Sequence, residues 1–221
     1  MEQNAMENLP EYINKLRHDF AKMSLDESMV DPDPLKQFDK WFHDAVSGKV
    51  DEPNAMVLST VNSENRPSSR VLLMRNYDAQ GFGFYTNYKS RKAQEIADYP
   101  NASLLFFWPQ LERQIRIEGM LEKQLAEESD TYFNSRPRES QLGAWTSPQS
   151  EIIADRKFLE EELAEITKKF EGKEVPRPEW WGGFVLVPDR MEFWQGRPGR
   201  LHDRICYVKE NNGWKIVRLA P

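Results

Sequence analysis

The stretch MVLSTVNSENRPSSRVLLM, residues 56–74, carries the pattern that decides the fold. Its two ends, residues 56–61 and 70–74, are short runs rich in aliphatic and β-branched residues, and the polar segment 62–67 between them has the composition of a turn. Short runs with a period of two, bounded by turn residues, are typical of strands that bury one face. The stretch therefore predicts two antiparallel strands joined by a turn.

The same kinds of pattern recur along most of the chain. Further strands are predicted at residues 81–86, 102–108, 114–118, 183–187, 190–195, 204–209 and 214–219, with a hairpin turn at residues 211–213. Helical spacing of apolar residues predicts helices at residues 9–23, 34–47, 90–98, 126–134, 138–145 and 150–170. Strands, helices and then strands again indicate an α+β fold around an antiparallel barrel, because closing a sheet removes its exposed edges.

Two segments define the expected domain organisation. Asp31-Pro32-Asp33-Pro34 interrupts regular structure, and Asp33 is expected to cap the helix that Pro34 begins. Residues 1–30 are therefore predicted to form a partly mobile N-terminal arm, and residues 31–221 a single domain. The helix at residues 150–170 is charge-rich, and its expected apolar side consists of Ile152, Ile153, Phe158, Leu159, Leu163 and Ile166.

The composition limits the partners. The 221 residues include 30 Lys plus Arg and 36 Asp plus Glu, which gives a formal net charge of −6. Proteins that bind nucleic acid or anionic membranes normally carry a basic excess, so neither partner is expected, and any anionic ligand needs a local cluster of cations. Apolar stretches such as residues 104–108 are too short to span a bilayer, and the N-terminus lacks the apolar segment of a signal peptide.

The chain also lacks the residues of several common sites. Cys206 is its single cysteine and its three histidines are far apart in sequence, so no disulfide or metal site is expected, and a reducing, cytoplasmic location fits. Neither a Gly-x-Gly-x-x-Gly nor a P-loop motif is present. Any demanding chemistry therefore has to come from a cofactor.

Residues 85–92, Tyr-Thr-Asn-Tyr-Lys-Ser-Arg-Lys, connect a predicted strand to a predicted helix. Lys89, Arg91 and Lys92 lie around the first helical turn, where the helix dipole is itself positive, so the arrangement is unfavourable without an anion. A bound phosphate would reverse this, because backbone N–H groups, the Ser90 hydroxyl and the cations could converge on it. The alternative is a solvated turn with Ser90 as N-cap.

A second concentration of positive charge lies in residues 196–204. If the residues after the Pro-Gly turn are extended, Arg200, His202 and Arg204 share one face of the strand. This face is either a ligand surface or an exposed edge protected by charge.

Other strands carry candidate residues as well. Arg70 and Arg75 are five positions apart, so they can share a ligand only if their strand bends or ends near Arg75. Gln114 belongs to a polar strand face that either is wet or forms a lumen or subunit contact. Because Trp194 alternates with Phe193, one of the two is expected to lie outside the core. That aromatic side chain either packs against other residues or covers a planar ring of a ligand.

Several ordered motifs, from about Leu16 to the last residue, together resemble the pyridoxine/pyridoxamine 5′-phosphate oxidase family. The motifs are YTN at residues 85–87, SRKA at 90–93, LERQ at 111–114, SRPRESQLGAW at 135–145, FWQG at 193–196, RLHDR at 200–204 and WKIVRLAP at 214–221. The resemblance implies an FMN-binding antiparallel split barrel of Greek-key type with peripheral helices. It also implies a homodimer with FMN at the subunit interface, and oxidation of pyridoxine or pyridoxamine 5′-phosphate to pyridoxal 5′-phosphate by O2, with H2O2 as product.

The resemblance also implies roles for individual residues. Those implied to bind FMN are Arg70, Tyr85, Thr86, Arg91, Lys92, Gln114, Gln149, Ser150, Trp194 and Arg204. Those implied to bind substrate are Arg17, on the lid formed by the N-terminal arm, and Arg75, Tyr132, Arg136, Ser140, Arg200 and His202. Of these, the resemblance implies that Arg200 and His202 are the catalytic pair and orient the reacting end of the substrate.

Two residues depart from the family pattern. Arg75 stands where the family usually has Lys, which replaces a mobile point charge by a planar fork. Phe20 stands where relatives have Tyr, which removes one hydroxyl from the lid. Both changes bear on substrate preference more than on the class of reaction.

Three other functions are alternatives. They are an FMN split-barrel oxidoreductase with a different substrate, a carrier of flavin or vitamin B6 phosphate without turnover, and a protein that binds single-stranded nucleic acid. The net charge and the absence of a continuous basic and aromatic track disfavour the last of these.

Overall fold

The structure is a computed structural model, which describes residues 12–13, 20–211 and 213–221. Its α-helices within residues 20–221 are α1 (Pro34–Ser47), α2 (Arg91–Asp98), α3 (Ala126–Ser135), α4 (Arg138–Thr146) and α5 (Arg156–Lys169). Its strands are β1 (Ala55–Val61), β2 (Pro67–Leu73), β3 (Asn76–Tyr77), β4 (Phe82–Asn87), β5 (Asn101–Trp108), β6 (Arg113–Lys123), β7 (Trp181–Gln195), β8 (Asp203–Glu210) and β9 (Gly213–Arg218). These elements confirm the predicted α+β class.

All of these strands belong to one antiparallel sheet. Its order is β2-β1-β5-β6-β7-β4-β3, with β8 paired to β7 and β9 paired to β8. Strand β6 runs along one edge of β7, while β4 pairs with the first half of the other edge and β8 with its second half. The sheet thus divides along β7 and curls into a half-barrel, which confirms the predicted antiparallel split barrel.

The two strands predicted at residues 183–187 and 190–195 are one strand, so that prediction is wrong. Strand β7 is continuous because β6 pairs with it from Lys123 to Arg113. A register shift between Glu118 and Gly119, opposite Pro188, accommodates one extra residue. A Cβ on Gly119 would lie 2.1 Å from the Val187 carbonyl oxygen, so this close approach requires glycine.

The opening hairpin and the last hairpin have the predicted form. Strands β1 and β2 pair from Ala55↔Leu73 to Val61↔Pro67. Strands β8 and β9 pair down to Glu210↔Gly213, which leaves a two-residue connection.

Helix α1 packs against the concave face of the half-barrel. Asp33 caps it by accepting a hydrogen bond from the Leu35 amide at 2.9 Å, as predicted. Phe38 is fully buried, and its ring meets the edges of Phe82 and Phe106 at centroid distances of 4.8 and 5.3 Å. The main core therefore lies between α1 and the concave face of the sheet.

Helices α3, α4 and α5 cover a second, smaller core made of Phe133, Leu142, Phe170, Val175 and Trp181. Helix α5 begins at residue 156 rather than 150, where Asp155 accepts a hydrogen bond from the Phe158 amide. None of its residues is buried. The predicted apolar side holds in part. Phe158, Leu159 and Ile166 are half-buried, and Ile166 packs against the second core, whereas Leu163 is exposed and Ile152 lies fully exposed before the helix. Within the described residues, no helix has both the length and the apolar character needed to cross a membrane.

The helix predicted at residues 9–23 falls mostly outside the described residues. Tyr12 and Ile13 are helical, but residues 20–23 are not. Their backbone has another partner, because the amides of Ala21 and Lys22 donate to the carboxylate of Glu112. Arg17 also lies outside the described residues.

Candidate functional site

A pocket of about 360 Å³ opens between the end of β2, strand β4 and helices α3 and α4. Strand β2 ends at Leu73, so Arg75 leaves the strand and reaches this pocket while Arg70 does not. The lining residues are Leu72, Leu73, Arg75, Tyr85, Thr86, Asn87, Tyr132, Arg136, Ser140, Gly143, Ala144, Ser147, Gln149 and Trp181.

One wall of the pocket consists of three nearly parallel aromatic rings. The rings of Tyr85 and Tyr132 stack at 4.0 Å with an angle of 10° between their planes. The Trp181 ring lies beside this pair and nearly parallel to it, 5.4 Å from the Tyr85 centroid and 6.2 Å from the Tyr132 centroid. Burial raises the pKa of Tyr85 to about 12, so its phenol stays protonated at neutral pH. The wall presents apolar ring faces, and its two tyrosines add hydroxyl groups that can form hydrogen bonds.

Two guanidinium groups face the same pocket. The Arg136 guanidinium lies over the Trp181 ring, 4.6 Å from its centroid, and its Nη1 is buried without a hydrogen-bond partner among the described residues. Burial lowers the pKa of Arg136; Tyr132 raises it, and the charge of Arg75 lowers it further. Two like charges and an unpaired buried donor are costly without an anion, so this end of the pocket fits a phosphate or carboxylate.

A third cation lies next to the pocket, at the start of α2. Lys92 is 7% exposed, and its Nζ donates to Thr86 Oγ1 at 3.2 Å, Ser90 Oγ at 3.4 Å and Gln149 Oε1 at 3.5 Å. Burial lowers the pKa of Lys92, and the charge of Arg70 lowers it further, whereas the charge of Glu95 raises it. A buried ammonium held by neutral oxygens at a helix N-terminus fits the phosphate of a cofactor such as FMN.

The other two predicted cations of this region bind a buried carboxylate instead. Glu95 pairs with Arg70 at 3.2 Å and with Arg91 at 2.8 Å. Burial alone would raise the pKa of Glu95, but hydrogen bonds from Thr60, Ser68 and Arg91, together with the charge of Arg70, hold it at about 2. Arg70 and Arg91 are thus fixed beside Lys92 by a network that links β1, β2 and α2.

This network predicts a pH-dependent loss of stability on Glu95→Gln. The folded-state pKa lies below the ordinary value of 4.5, so the carboxylate stabilises the fold above that pH and stops doing so as the pH falls toward 2. We expect Glu95→Gln to lower the free energy of unfolding by about 3 kcal/mol at pH 7 and by less at pH 3. Denaturant unfolding at both pH values measures this, with the exposed Glu160→Gln as control. An equal loss at both pH values would contradict it.

A second set of predicted residues forms a row across three strands. Gln114 on β6 is opposite Trp194 on β7, and Trp194 is opposite Arg204 on β8, so the three share one face of the sheet. Phe193 is buried and Trp194 is half-buried, which confirms that one of the two leaves the core. We refer to Gln114, Trp194 and Arg204 as the β6–β8 row.

Arg204 is paired within the chain. Its Nε and Nη2 each donate to a carboxylate oxygen of Glu192 at 2.9 Å. Hydrogen bonding to Glu192 raises the pKa of Arg204, and Glu192 itself is buried. This fork holds the guanidinium in one orientation beside Trp194.

The extended chain on which the predicted common face of Arg200, His202 and Arg204 depends is not present between residues 198 and 202. Residues Pro198–Arg200 form a 3-10 turn, and Gly199 and Arg200 have left-handed φ values of 64° and 63°. Strand β8 begins only at Asp203, so the strand alternation on which the prediction rests does not apply. His202 instead turns back against Trp194, with 4.6 Å between ring centroids, and its Nδ1 accepts the amide N–H of Arg197 at 3.1 Å.

The structure therefore divides the predicted site residues between two places. In or beside the pocket lie Arg70, Arg75, Tyr85, Thr86, Arg91, Lys92, Tyr132, Arg136, Ser140, Gln149 and Ser150. The β6–β8 row, with Arg200 and His202, lies at the other end of β7. Trp194 is eleven residues beyond Gly183, which pairs with Tyr85, or about 36 Å along the strand at about 3.3 Å per residue.

Three residues of these sites were not predicted. Trp181 stacks on Tyr85 and supports Arg136, Glu95 holds Arg70 and Arg91, and Glu192 orients Arg204. Only the Arg91–Glu95 pair has a signal in the sequence, because its spacing of four is that of an ion pair on a helix.

Comparisons with known proteins agree across the chain. A family model described as pyridoxamine 5′-phosphate oxidase matches residues 42–170, and one described as the pyridoxine 5′-phosphate oxidase C-terminal dimerisation region matches residues 181–221. A Rubrobacter xylanophilus protein named pyridoxine/pyridoxamine 5′-phosphate oxidase is 52% identical over 206 residues, covering 93% of this chain and 95% of that protein. A protein of the same name from Cyanothece sp. is 49% identical, covering 95% and 98%.

Solved structures show the same likeness. PhzG from Burkholderia lata 383, in complex with tetrahydrophenazine-1-carboxylic acid, has a TM-score of 0.85 at 32% identity, covering 91% of this chain and 99% of that chain. A pyridoxamine 5′-phosphate oxidase-related FMN-binding protein from Nostoc punctiforme shares the fold, with a TM-score of 0.66 at 18% identity over 90% and 100%. From the family models and the curated relatives, this chain belongs to the pyridoxine/pyridoxamine 5′-phosphate oxidase family of oxidoreductases and carries that family's C-terminal dimerisation region.

Proposed function

We propose that the protein oxidises pyridoxine 5′-phosphate and pyridoxamine 5′-phosphate to pyridoxal 5′-phosphate, using FMN as cofactor and O2 as electron acceptor. The observation that carries the proposal is the pair of separate cation sites, one in the pocket and one directly behind its lining residues. Arg136 and Arg75 face the pocket, and Lys92 lies beside it behind Thr86 and Gln149. A reaction between two phosphate monoesters, substrate and cofactor, needs two such sites.

The residues at the start of α2 suit the FMN phosphate. Lys92 and the Ser90 hydroxyl surround a helix N-terminus, and Arg70 and Arg91 are fixed nearby by Glu95. Tyr85, Thr86, Gln149 and Ser150 are the further contacts that the family resemblance assigns to this side. Bound FMN supplies the two-electron redox chemistry of the oxidation, and O2 is reduced to H2O2.

The pocket suits the phosphate of the substrate. Arg75, Arg136, Tyr132 and Ser140 all line it, and they offer guanidinium and hydroxyl donors beside the stacked aromatic rings. Fixing the phosphate and the pyridine ring holds the reacting carbon in place and excludes water, which is the main contribution that protein residues make to such a reaction. His202 and Arg200 then orient the end of the substrate that is oxidised.

We propose that each complete site contains residues from two copies of the chain. The pocket and the β6–β8 row lie at opposite ends of β7, whereas the resemblance assigns both to one FMN. The matched dimerisation region, residues 181–221, contains Trp194, Arg200, His202 and Arg204. A homodimer in which the row of one protomer meets the pocket of its partner brings all of these residues to one cofactor.

The proposed oxidation is tested by colour and by turnover. Purified protein should be yellow, lose its colour with pyridoxine 5′-phosphate in the absence of O2, and regain it in air with release of peroxide. Colour without bleaching would favour a carrier or another substrate. Absence of bound flavin, even after FMN is added, would contradict the proposal.

The relation to PhzG raises the alternative of a substrate that carries a carboxylate rather than a phosphate. Two convergent guanidinium groups, Arg75 and Arg136, match a dianionic phosphate better than a single carboxylate. Turnover of pyridoxine 5′-phosphate compared with tetrahydrophenazine-1-carboxylic acid distinguishes the two.

Arg200→Ala tests the role proposed for Arg200 in the site. We expect turnover to fall about 100-fold while FMN stays bound, because Arg200 orients substrate and not cofactor. Steady-state kinetics and the flavin content measure this, with the exposed Arg66→Ala as control. Normal kinetics would remove Arg200 from the site.

Mixing two variants that are each nearly inactive at low substrate concentration shows whether the site is shared. If Arg136 and Arg200 of one site come from different protomers, Arg136→Ala and Arg200→Ala chains refolded together form hybrid dimers with one intact site. About a quarter of the wild-type activity should return, since half of the dimers are hybrids. No recovery from hybrids verified by mass would show that both residues come from the same chain.

A further inference from the structure

Residues 20–25, which we call the strap, cross the ends of β6, β7 and β8. Two carboxylates hold their backbone: the Ala21 and Lys22 amides donate to Glu112 Oε2 at 3.0 and 3.1 Å, and the Leu25 amide donates to Asp203 Oδ2 at 3.0 Å. The strap is thus bound by acceptors 80 or more residues away in sequence rather than by its own helix.

Glu112 is buried, and hydrogen bonds fix its backbone. It is 2% exposed and has a left-handed φ of 55° at the end of the turn Pro109–Leu111. Its carbonyl oxygen accepts the Gly196 amide at 2.8 Å and Gln195 Nε2 at 3.2 Å. A buried carboxylate on a fixed backbone is a strong and directional acceptor for the two strap amides.

Phe20, the first residue of the strap, packs against two residues of the proposed site, Trp194 and His202. Phe20 meets Trp194 edge-on at 5.6 Å and His202 at 5.7 Å. It also lies directly on Gly196, where an added Cβ would be 2.6 Å from Phe20 Cγ. The absence of a side chain at residue 196 therefore makes the space in which Phe20 lies.

His202 is oriented by the same assembly. Its Nδ1 accepts the Arg197 amide, so the neutral ring carries its proton on Nε2 and offers a donor there. Trp194 and Phe20 pack on the ring, and the Nη1 of Arg197 donates to the carbonyl of Met23 in the strap at 3.1 Å. The strap and His202 are therefore linked through two groups, Phe20 and Arg197.

We propose that Glu112 is a positioning residue, which seats the strap so that Phe20 closes over His202 and Trp194. In this proposal Glu112 acts through Phe20 and not by contacting the substrate or the cofactor. The inference rests on the proposed function only in the role given to His202. The seating of the strap by Glu112 stands on the hydrogen bonds and ring contacts themselves.

Hydrogen exchange of the whole protein tests the seating without reference to turnover. Glu112→Ala should speed exchange at Ala21 and Lys22 about tenfold or more, because both amides lose their acceptor. Glu112→Gln keeps one acceptor oxygen and should have a smaller effect, and it serves as the test if the alanine variant fails to fold. Glu122→Ala, on an exposed position of β6, is the matched control. Unchanged exchange at these amides in both Glu112 variants would overturn the proposal.

Kinetics test whether the seating acts through Phe20. Glu112→Ala should raise KM for pyridoxine 5′-phosphate about tenfold, Phe20→Ala should do the same, and the double variant should be no worse than Phe20→Ala alone. Gly196→Ala, which displaces Phe20 but leaves Glu112 in place, should resemble Phe20→Ala. Effects that multiply in the double variant would overturn the proposal. If the wild type turns over no substrate while the exchange result holds, the proposed function fails and the seating of the strap does not.

Discussion

Lys92→Met is expected to lower the affinity for FMN about 100-fold while leaving the protein folded. The side chain is 7% exposed and makes its described contacts to neutral oxygens of Thr86, Ser90 and Gln149 at 3.2–3.5 Å. A charge-assisted contact of this kind to a phosphate contributes about 1.5–3 kcal/mol, and methionine keeps the length of the chain without the charge. Titration of the flavin-free protein with FMN, followed by flavin fluorescence, measures the loss.

Riboflavin and a neighbouring lysine provide the controls for Lys92→Met. Riboflavin has no phosphate, so its affinity should be the same for wild type and variant. Lys89→Met alters an exposed cation of the same segment, which lies over the Trp180 ring, and should leave FMN binding nearly unchanged. An equal loss of affinity for riboflavin and FMN would show that Lys92 does not recognise the phosphate.

Lys92→Met should not lower the thermal stability of the flavin-free protein, although it weakens FMN binding. The pKa of Lys92 is lowered by burial and by Arg70, so the folded state disfavours the charged form that the unfolded chain carries at neutral pH. Removing that charge should therefore raise the melting temperature of the flavin-free protein, or leave it unchanged, although it weakens cofactor binding. A gain in stability together with a loss of binding is typical of a side chain kept for function.

Local patterns were sufficient for much of the fold. The β1–β2 hairpin, the cap of α1 by Asp33 and the β8–β9 hairpin all depend on residues that are close in sequence. The continuity of β7 depends on more distant parts of the chain. Strand β7 is a single strand because β6 supplies partners along its whole length, and no window around Pro188 contains that information.

The turn at Arg200 shows a different limit. Alternation of side chains predicts faces correctly only where φ stays extended, and Gly199 and Arg200 are both left-handed. Gly199 predicts a turn, but nothing in the sequence predicts that Arg200 also has a left-handed φ. The position of the His202 side chain then depends on its contacts with Trp194 and with the amide of Arg197.

The candidate site was predictable mainly through resemblance. No local pattern identifies Tyr132 or Arg136 as facing the same pocket as Arg75, since β2 and α3 are some 60 residues apart in sequence. Ordered motifs carry that long-range information, and the structure adds Trp181, Glu95 and Glu192, which hold the predicted residues in place. The supporting residues escape prediction because their partners are known only once the chain is folded.

Arg136→Ala is expected to raise KM for pyridoxine 5′-phosphate about 100-fold with FMN still bound, since two or more charge-assisted hydrogen bonds to the phosphate are lost. Arg136 Nη1 is buried and unpaired among the described residues, beside Arg75 and over Trp181, so the phosphate is the partner that completes its hydrogen bonding. Arg136→Lys should recover only part of the loss, because an ammonium neither forms the planar fork nor stacks on the indole in the same way.

The unphosphorylated alcohol separates recognition of the phosphate from damage to the pocket. Pyridoxine itself should be oxidised slowly and equally by wild type and Arg136→Ala, and inorganic phosphate should inhibit the wild type more strongly than the variant. Arg156→Ala, at an exposed position of α5, controls for loss of positive charge alone. If Arg136→Ala slows pyridoxine as much as pyridoxine 5′-phosphate, Arg136 shapes the aromatic wall rather than binding the phosphate. The proposed division of the basic residues between substrate and cofactor would then be wrong at this position.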